Sequence, residues 1–538
     1  MTPHTMDAAG LTRAAAGDPQ LTPPERPCAT PGVMTTWLRD GFVVEGLHSR
    51  RVLRGTSTRA LLTAVLPLLD GTRTHDELAS ESGVDDDALR QVLMILFAAG
   101  LLVDGEPGDP ADPVLTFLHR ASDETRSNPS GRAALARLAS ARVRLLGDVG
   151  ALPSLARQLV ASGVSVVDGA VDGDARLDEH LDLAVAVVTA GSREAVVARA
   201  RRLRAAGVPV LPVHVEADGV VVGPVSYPDF GPCLECASGQ VDLGTLPDGS
   251  AAGRLIGAVV AQEAVLMISE TGSAQTMNNA LRVTSSPLGT EALAMHSRPG
   301  CPTCGGGGPL VEEPPVAHRF ETAVAMLPAR LRRPRGHQKH YEPSSVSLQY
   351  EQRTVAGREA VALPEVDAVD PVDRDGVLDL GAVSRLLQLS FGVHRRRSEE
   401  ESAIRRWTPT GGNLGSPQAY LSCTGVAGLD DGRWFFDAGS RSLMRLRDTG
   451  SPVPEGLRLT VVCEVSRVWS KYNIFGYRIV HLDTGAALAS LRLAAASAGL
   501  GLGNHPAWDD AGLETEFGID AKEQIVTAHV EITGGTRA

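Results

Sequence analysis

Val468-Trp-Ser-Lys471-Tyr472-Asn-Ile-Phe-Gly-Tyr477-Arg478-Ile-Val-His-Leu482-Asp483-Thr-Gly485 is the stretch on which the reading of the chain turns. A lysine and a tyrosine stand side by side, and a Tyr-Arg pair follows. Leu482-Asp-x-Gly485 then opens an apolar run, Ala486 to Leu500, that reads as a helix and ends in Gly499-Leu-Gly-Leu-Gly503. The Lys-Tyr pair falls between an expected strand and this helix. An adjacent ammonium would lower the pKa of Tyr472, and burial would lower that of Lys471. Either route makes a base near neutral pH.

Upstream lies a second block, Arg405-Arg-Trp-Thr-Pro409-Thr410-Gly411-Gly412-Asn413-Leu-Gly415-Ser-Pro-Gln418-Ala-Tyr420. Together the two blocks resemble the azoline dehydrogenases of the streptolysin and microcin maturation type. Pro409 to Asn413 looks like the Pro-Ser-x-x-Asn flavin loop of nitroreductase-fold proteins, with Thr410 in place of the usual serine. Ser390-Phe-Gly392, Gly428-Leu-Asp-Asp-Gly432 and Gly336-His-Gln-Lys are also similar to that family. The resemblance implies a nitroreductase-like domain over 336–538 that holds FMN and forms a two-fold homodimer. Small residues in Pro409, Thr410, Gly411, Gly412 and Asn413 let amides approach the flavin ring, and Asn413 can bond ring atoms. Arg395, Arg397, Arg405 and Arg406, or the amides of Gly499 and Gly501, suit a phosphate. No Gly-x-Gly-x-x-Gly here serves FAD or NAD. The implied substrate is a thiazoline or oxazoline in a peptide, oxidised to the azole, with Lys471 and Tyr472 as the candidate base.

At 538 residues the chain is too long for one core, so about three domains are expected, of multidomain α/β and α+β class. The net charge of -13 disfavours nucleic acid as a partner, since phosphate binding is driven by Lys and Arg. No apolar run approaches the roughly 20 residues of a membrane span. Residues 1–30 read as a disordered tail without an apolar signal core, which suits a cytoplasmic protein.

Residues 31–105 read as three short strands and three helices, a small winged-helix pattern. Its third helix starts Asp85-Asp-Asp and offers only Arg90 as a cation, which is poor for reading DNA. The stretch around Leu66-Pro-Leu-Leu-Asp70-Gly71 resembles leader-peptide recognition domains. That implies an extended leader paired along Arg51, Val52 and Leu53 and laid against Arg90 and Met94.

A linker, 106–137, leads into 138–310, where strands and helices alternate as in a Rossmann-type parallel sheet. Cys233-Leu-Glu-Cys236 and Cys301-Pro-Thr-Cys304 sit in two turns either side of a long helical stretch. Four thiolates from two such knuckles close a tetrahedral, structural Zn2+ site. The region looks like the ThiF-like, ubiquitin-activating fold, in which this zinc layout recurs. Its phosphate loop, Gly147-Asp-Val-Gly150-Ala, carries an aspartate where phosphate would approach, and no Arg-Gln follows Asp168. This marks a degenerate scaffold of the sort that accompanies YcaO-type cyclodehydratases in the biosynthesis of azole-containing peptides. Residues 311–335 are a second linker. The competing readings are a non-catalytic leader-binding scaffold that delivers precursor to such a cyclodehydratase, and a transcription factor.

Overall fold

The computed structural model describes residues 12, 22–47, 50–109, 111–168, 180–245, 250–272, 274–334, 348–351, 353–355, 359–366, 375–394, 404–450 and 452–534. The chain divides into two compact units, 7–339 and 340–538. Both are mixed α/β.

The first unit opens with β1 (Pro27–Ala29), inside the span expected as a tail. Cys28 is buried there, and β1 pairs antiparallel with a later strand, so this segment is part of a core. β2 (Met34–Trp37), β3 (Phe42–Glu45) and β4 (Arg51–Leu53) form an antiparallel sheet in that order. Three helices follow, α1 (Thr58–Val65), α2 (His75–Ser82) and α3 (Asp86–Ala98). Their starts are sequence-encoded. Thr74 and Glu77 make a reciprocal capping box, and the Asp85 side chain accepts from the Ala88 amide. Phe42 and Val44 pack on Leu62, Leu78, Leu89, Leu93 and Leu96. β5 (Leu102–Asp104) then pairs with β1.

The span 106–137 carries α4 (Pro113–Ala121) and most of α5 (Gly131–Ser140). The two helices touch closely: a Cβ at Gly131 would stand 2.5 Å from the His119 amide. Composition suggests a linker there, but Leu115, Leu118, Ala134 and Leu138 are buried.

A seven-stranded sheet follows in the order β12-β11-β10-β9-β8-β6-β7. It is built from β6 (Arg142–Gly147), α6 (Leu155–Ala161), β7 (Ser165–Asp168), β8 (Leu183–Val188), α7 (Arg193–Ala205), β9 (Val210–Val215) and β10 (Gly219–Val222). α8 (Leu234–Ser238), α9 (Ala251–Ser269), β11 (Ala280–Ser285), β12 (Leu288–Leu293) and α10 (Val316–Ala323) complete it. β7, β6, β8 and β9 are parallel, and β10 to β12 extend the sheet antiparallel. The unbroken apolar runs of β8 and β9 are buried throughout, as strands covered on both faces require. Contrary to the expectation that no run approaches a membrane span, two helical stretches, Ala251–Ser269 and Val465–Ser497, are long and apolar enough to cross one. In α9 that apolar surface packs into the sheet core, with Ile256, Val260 and Ala264 fully buried.

The second unit holds β13 (Ala360–Ala362), α11 (Leu380–Phe391), β14 (Val393–His394), β15 (Arg405–Arg406), β16 (Pro417–Thr424), β17 (Gly432–Asp437), β18 (Ser442–Arg445) and β19 (Gly456–Glu464). α12 (Val465–Tyr472), α13 (Gly476–Ser497), β20 (Gly501–Asn504), α14 (Asp510–Phe517) and β21 (Gln524–Thr533) complete it. Its main sheet runs β13-β18-β17-β16-β19-β21-β20, antiparallel at every pairing. α11 and α13 pack on one face, over Ala419, Leu421, Trp434, Leu459, Val461 and Val530. α14 covers the other with Leu513 and Phe517 against Tyr420, Phe435 and Val462.

One expectation about this unit needs correction. α13 begins at Gly476, not Ala486, and Lys471-Tyr472 ends a helix rather than following a strand. Gly476 sits tight against Trp469, where a Cβ would lie 3.2 Å from its backbone. The helix therefore restarts at once, and Leu482 to Gly485 lies inside it.

Candidate functional site

The centre of the second unit is the turn Thr410–Asn413. Gly412 has φ +60°, a backbone conformation that favours glycine. A Cβ there would stand 2.7 Å from both Lys471 Nζ and Tyr472 Oη, so the pair converges on the bare backbone of this glycine. Sequence distance gave no hint of the contact. The Lys471 ammonium also lies 5.6 Å from the Tyr472 ring centre. Asn473, the next residue, has φ +50° and ψ −143°, a strained bend between α12 and α13.

The residue that organises the turn was quoted in the sequence but given no role. Asp483, buried within α13, accepts from the Gly411 amide at 2.7 Å and from Ser416 Oγ at 2.5 Å. Burial raises its pKa, and the two hydrogen bonds oppose that. Arg406 donates through Nε to the Asn413 carbonyl at 3.3 Å and through Nη2 to the Leu414 carbonyl at 3.3 Å. Arg467 donates to the Gly415 carbonyl at 3.0 Å. The Gly415 amide donates to Thr410 Oγ1 at 2.9 Å. An isolated carboxylate inside an apolar helix is the signal that could have flagged Asp483.

The electrostatics separate the two candidate bases. Burial lowers the Lys471 pKa. Burial, and then the Asp483 charge, raise that of Tyr472. The lysine is thus the group moved toward neutral pH, and the tyrosine the group moved away from it. Lowering of the tyrosine by its neighbour does not occur.

Other expected flavin contacts fall differently. Asn413 turns its amide inward, with Nδ2 3.0 Å from Gln349 Oε1 and 2.5 Å from the Ile404 carbonyl, and so holds the turn. Pro409 and Arg405 are exposed beside it. Gly499 and Gly501 lie past the C-terminal end of α13. Gly499 is 16 residues beyond Asp483, about 24 Å along the helix axis, because α13 is one continuous rod. Within one chain these glycines do not join the turn. Arg395 and Arg397, like Gly336 to Ser345, lie outside the described residues. What the turn brings together is a glycine backbone with Lys471 and Tyr472 over it and the half-buried Arg406 and buried Arg467 holding its carbonyls.

No family model matches the sequence, and no curated protein does. Solved structures do. The heterocyclase TruD matches at 19% identity over 52% of this chain, with TM-score 0.40. A heterocyclase in complex with substrate and cofactor matches at 18% over 52%, with TM-score 0.39. The chain covers 43% and 39% of those two proteins, less than half of each. E. coli MccB matches at 12% over 52% of this chain and 97% of its own, with TM-score 0.40.

The first unit contains a second built site. Cys233, Cys236, Cys301 and Cys304 bring their sulfurs within 4.8 Å of one another. Cys233–Cys301 and Cys236–Cys304 are 3.7 and 3.6 Å apart, the edge lengths of a tetrahedron with metal–sulfur bonds of about 2.3 Å. Three of the four are buried, and the cluster could hold a metal such as zinc with no open position. Hydrogen bonding from Cys233 and Cys304 lowers the Cys236 pKa, and the Arg298 amide points at its sulfur from 3.3 Å.

The glycine turn after β6 carries an aspartate, Asp148. Thr189 Oγ1 donates to Asp148 Oδ2, and Ser192 joins the same cluster, so the aspartate of this turn is engaged by the chain's own hydroxyls. Of the expected leader contacts, Val52 is exposed and Arg51 and Leu53 are half-buried, on a strand with one unpaired edge among the described residues. Arg90 is exposed but paired with Asp87. Met94 is 7% exposed, so it faces inward and is not open to a peptide.

Proposed function

We propose that the second unit binds FMN at the Thr410–Asn413 turn and oxidises thiazolines or oxazolines in a peptide, while the first unit recruits the peptide by its leader. The convergence of Lys471 Nζ and Tyr472 Oη on Gly412 carries this reading. When bound, FMN supplies the two-electron acceptor. The chain supplies the rest. An azoline Cα–H, flanked by a carbonyl and a C=N, is a weak carbon acid, and neutral Lys471 Nζ takes that proton as the ring becomes aromatic. Tyr472 O–H, still protonated, donates a hydrogen bond beside it. Asp483, Arg406 and Arg467 hold the turn so that its amides and the Lys-Tyr pair face the same space.

In the first unit the four-cysteine cluster takes one structural Zn2+, and the degenerate phosphate loop leaves the ATP chemistry to a separate YcaO-type cyclodehydratase. The leader adds a strand at the β4 edge, as backbone pairing with specificity pockets allows. The test is direct. Full-length protein should be yellow and release FMN on denaturation. Deletion of 1–105 should spare the flavin yet slow oxidation of leader-bearing substrate at low concentration, because the tether otherwise raises local substrate to ~mM. A colourless protein moves the reading to a leader-binding scaffold. Unchanged oxidation in the deletion removes the recruitment role.

The homodimer belongs to the same proposal. α12, α13 and the turn between them expose Trp469, Ile474, Tyr477, Leu482 (61%) and Leu493 (74%), apolar surface that a second copy would cover. Light scattering should give a dimer for the native chain and a monomer with weakened FMN retention for Leu482→Arg. A native monomer that holds FMN contradicts the dimer.

A further inference from the structure

We propose that Arg353, Arg406 and Arg467 form a binding site for one small oxyanion, a phosphate or carboxylate group, behind the Thr410–Asn413 turn. The three side chains line a single cavity of about 30 Å3 together with Phe391, Gln418 and Gly415. One water needs roughly 10–15 Å3, so the space holds the oxygens of one small anion. A smaller cavity shares Phe391, Arg406, Gly415 and Pro417 with it and adds Ser390, Thr408 and Thr410.

The groups facing this space have unused bonding capacity. Arg467 is 7% exposed; its terminal nitrogens hold the Glu351 and Gly415 carbonyls, and its Nε is buried with no hydrogen-bond partner. In the smaller adjoining cavity, Ser390 is 2% exposed and its hydroxyl has no hydrogen-bond partner. Arg406 spends Nε and Nη2 on the carbonyls of Asn413, Gln349 and Leu414, which bring no charge.

Charge is also out of balance. Among the described residues, one carboxylate, Glu464, lies within ion-pair distance of this trio, 3.1 Å from Arg467 and 3.8 Å from Arg353. Asp483 is bound to Gly411 and Ser416. Burial, and then repulsion from Arg467, hold Arg406 down at about 10. Uncompensated buried cations are costly, and a bound anion offers guanidinium forks the oxygens they are shaped for.

The anion can come from two sources: the phosphate of a flavin, which rests on the function proposed above, or a free oxyanion. Flavin fluorescence titrations with FMN and with riboflavin, and melting with and without inorganic phosphate, distinguish them in the full chain. If the site holds the flavin phosphate, FMN binds at least roughly tenfold tighter than riboflavin, the effect of one charge-assisted hydrogen bond. Arg353→Met and Ser390→Ala then shrink that ratio and leave riboflavin affinity unchanged. If it holds a free oxyanion, both flavins bind alike, and phosphate raises the melting temperature of the native chain but not of Arg353→Met. Should no flavin bind while the phosphate effect persists and is lost in Arg353→Met, the anion site stands and the flavin reading falls. A native-like FMN-to-riboflavin ratio and native-like phosphate response in both variants overturn the site.

Discussion

Lys471→Ala is expected to keep the yellow FMN spectrum and lose azole formation by roughly 10²–10⁴ in rate, the usual cost of removing a general base. The loss should appear as slow flavin reduction in anaerobic single turnover, with reoxidation by O2 unaffected. Tyr472→Phe should retain more activity, since burial moves that hydroxyl away from neutral pH and the proposed mechanism asks it only to donate. The double variant should cost little more than Lys471→Ala alone if the two act as a unit. Gly412→Ala is expected to resemble the lysine variant without touching it, because the new Cβ meets Lys471 Nζ and Tyr472 Oη at 2.7 Å in a backbone conformation unfavourable to alanine.

The pH dependence follows from the same burial. The Lys471 pKa in the folded chain lies below its ordinary 10.5. Between the two values the unfolded chain binds more protons, so stability rises with pH across that window, and the fraction of active base rises with it. The reduction rate should therefore climb with pH along a limb that is absent in Lys471→Ala. Full flavin occupancy and native reduction rates in Lys471→Ala would sink the assignment.

Cys301→Ser is expected to abolish metal binding and drive the protein into aggregates. Its sulfur is 3.7 Å from that of Cys233, and both are buried, so three thiols cannot close the shell. Apparent binding energies of structural zinc, about 10–16 kcal/mol in zinc-finger peptides, rival the whole stability of a typical domain. Metal analysis should give about one Zn2+ per native chain, and chelation should lower its melting temperature. Native protein that is free of metal and melts unchanged with chelator would end the idea.

Several features of this chain are local in origin, and the sequence alone determined them. The capping box at Thr74 and Glu77, the apolar runs of β8 and β9, and the paired Cys-x-x-Cys knuckles are written in neighbouring residues. Each acts through the period of a helix or strand, or through the close spacing of two cysteines in one turn. The limits of the elements beyond them were set elsewhere. α13 starts ten residues before the apolar run, at Gly476 packed close to Trp469, and β1 exists because Cys28 finds a partner strand at Val103. Tertiary structure alone decided the site. Asp483 reaches Gly411 across 72 residues, and Arg467 reaches Gly415 across 52. Gly412 meets Lys471 and Tyr472 across some sixty residues of sequence, at the end of the helix that Asn473 terminates. No local pattern encodes such contacts. Folding the sheet under α13 is what removes these carboxylate, guanidinium and amine groups from water, and that burial lowers the pKa of Lys471 while raising that of Tyr472.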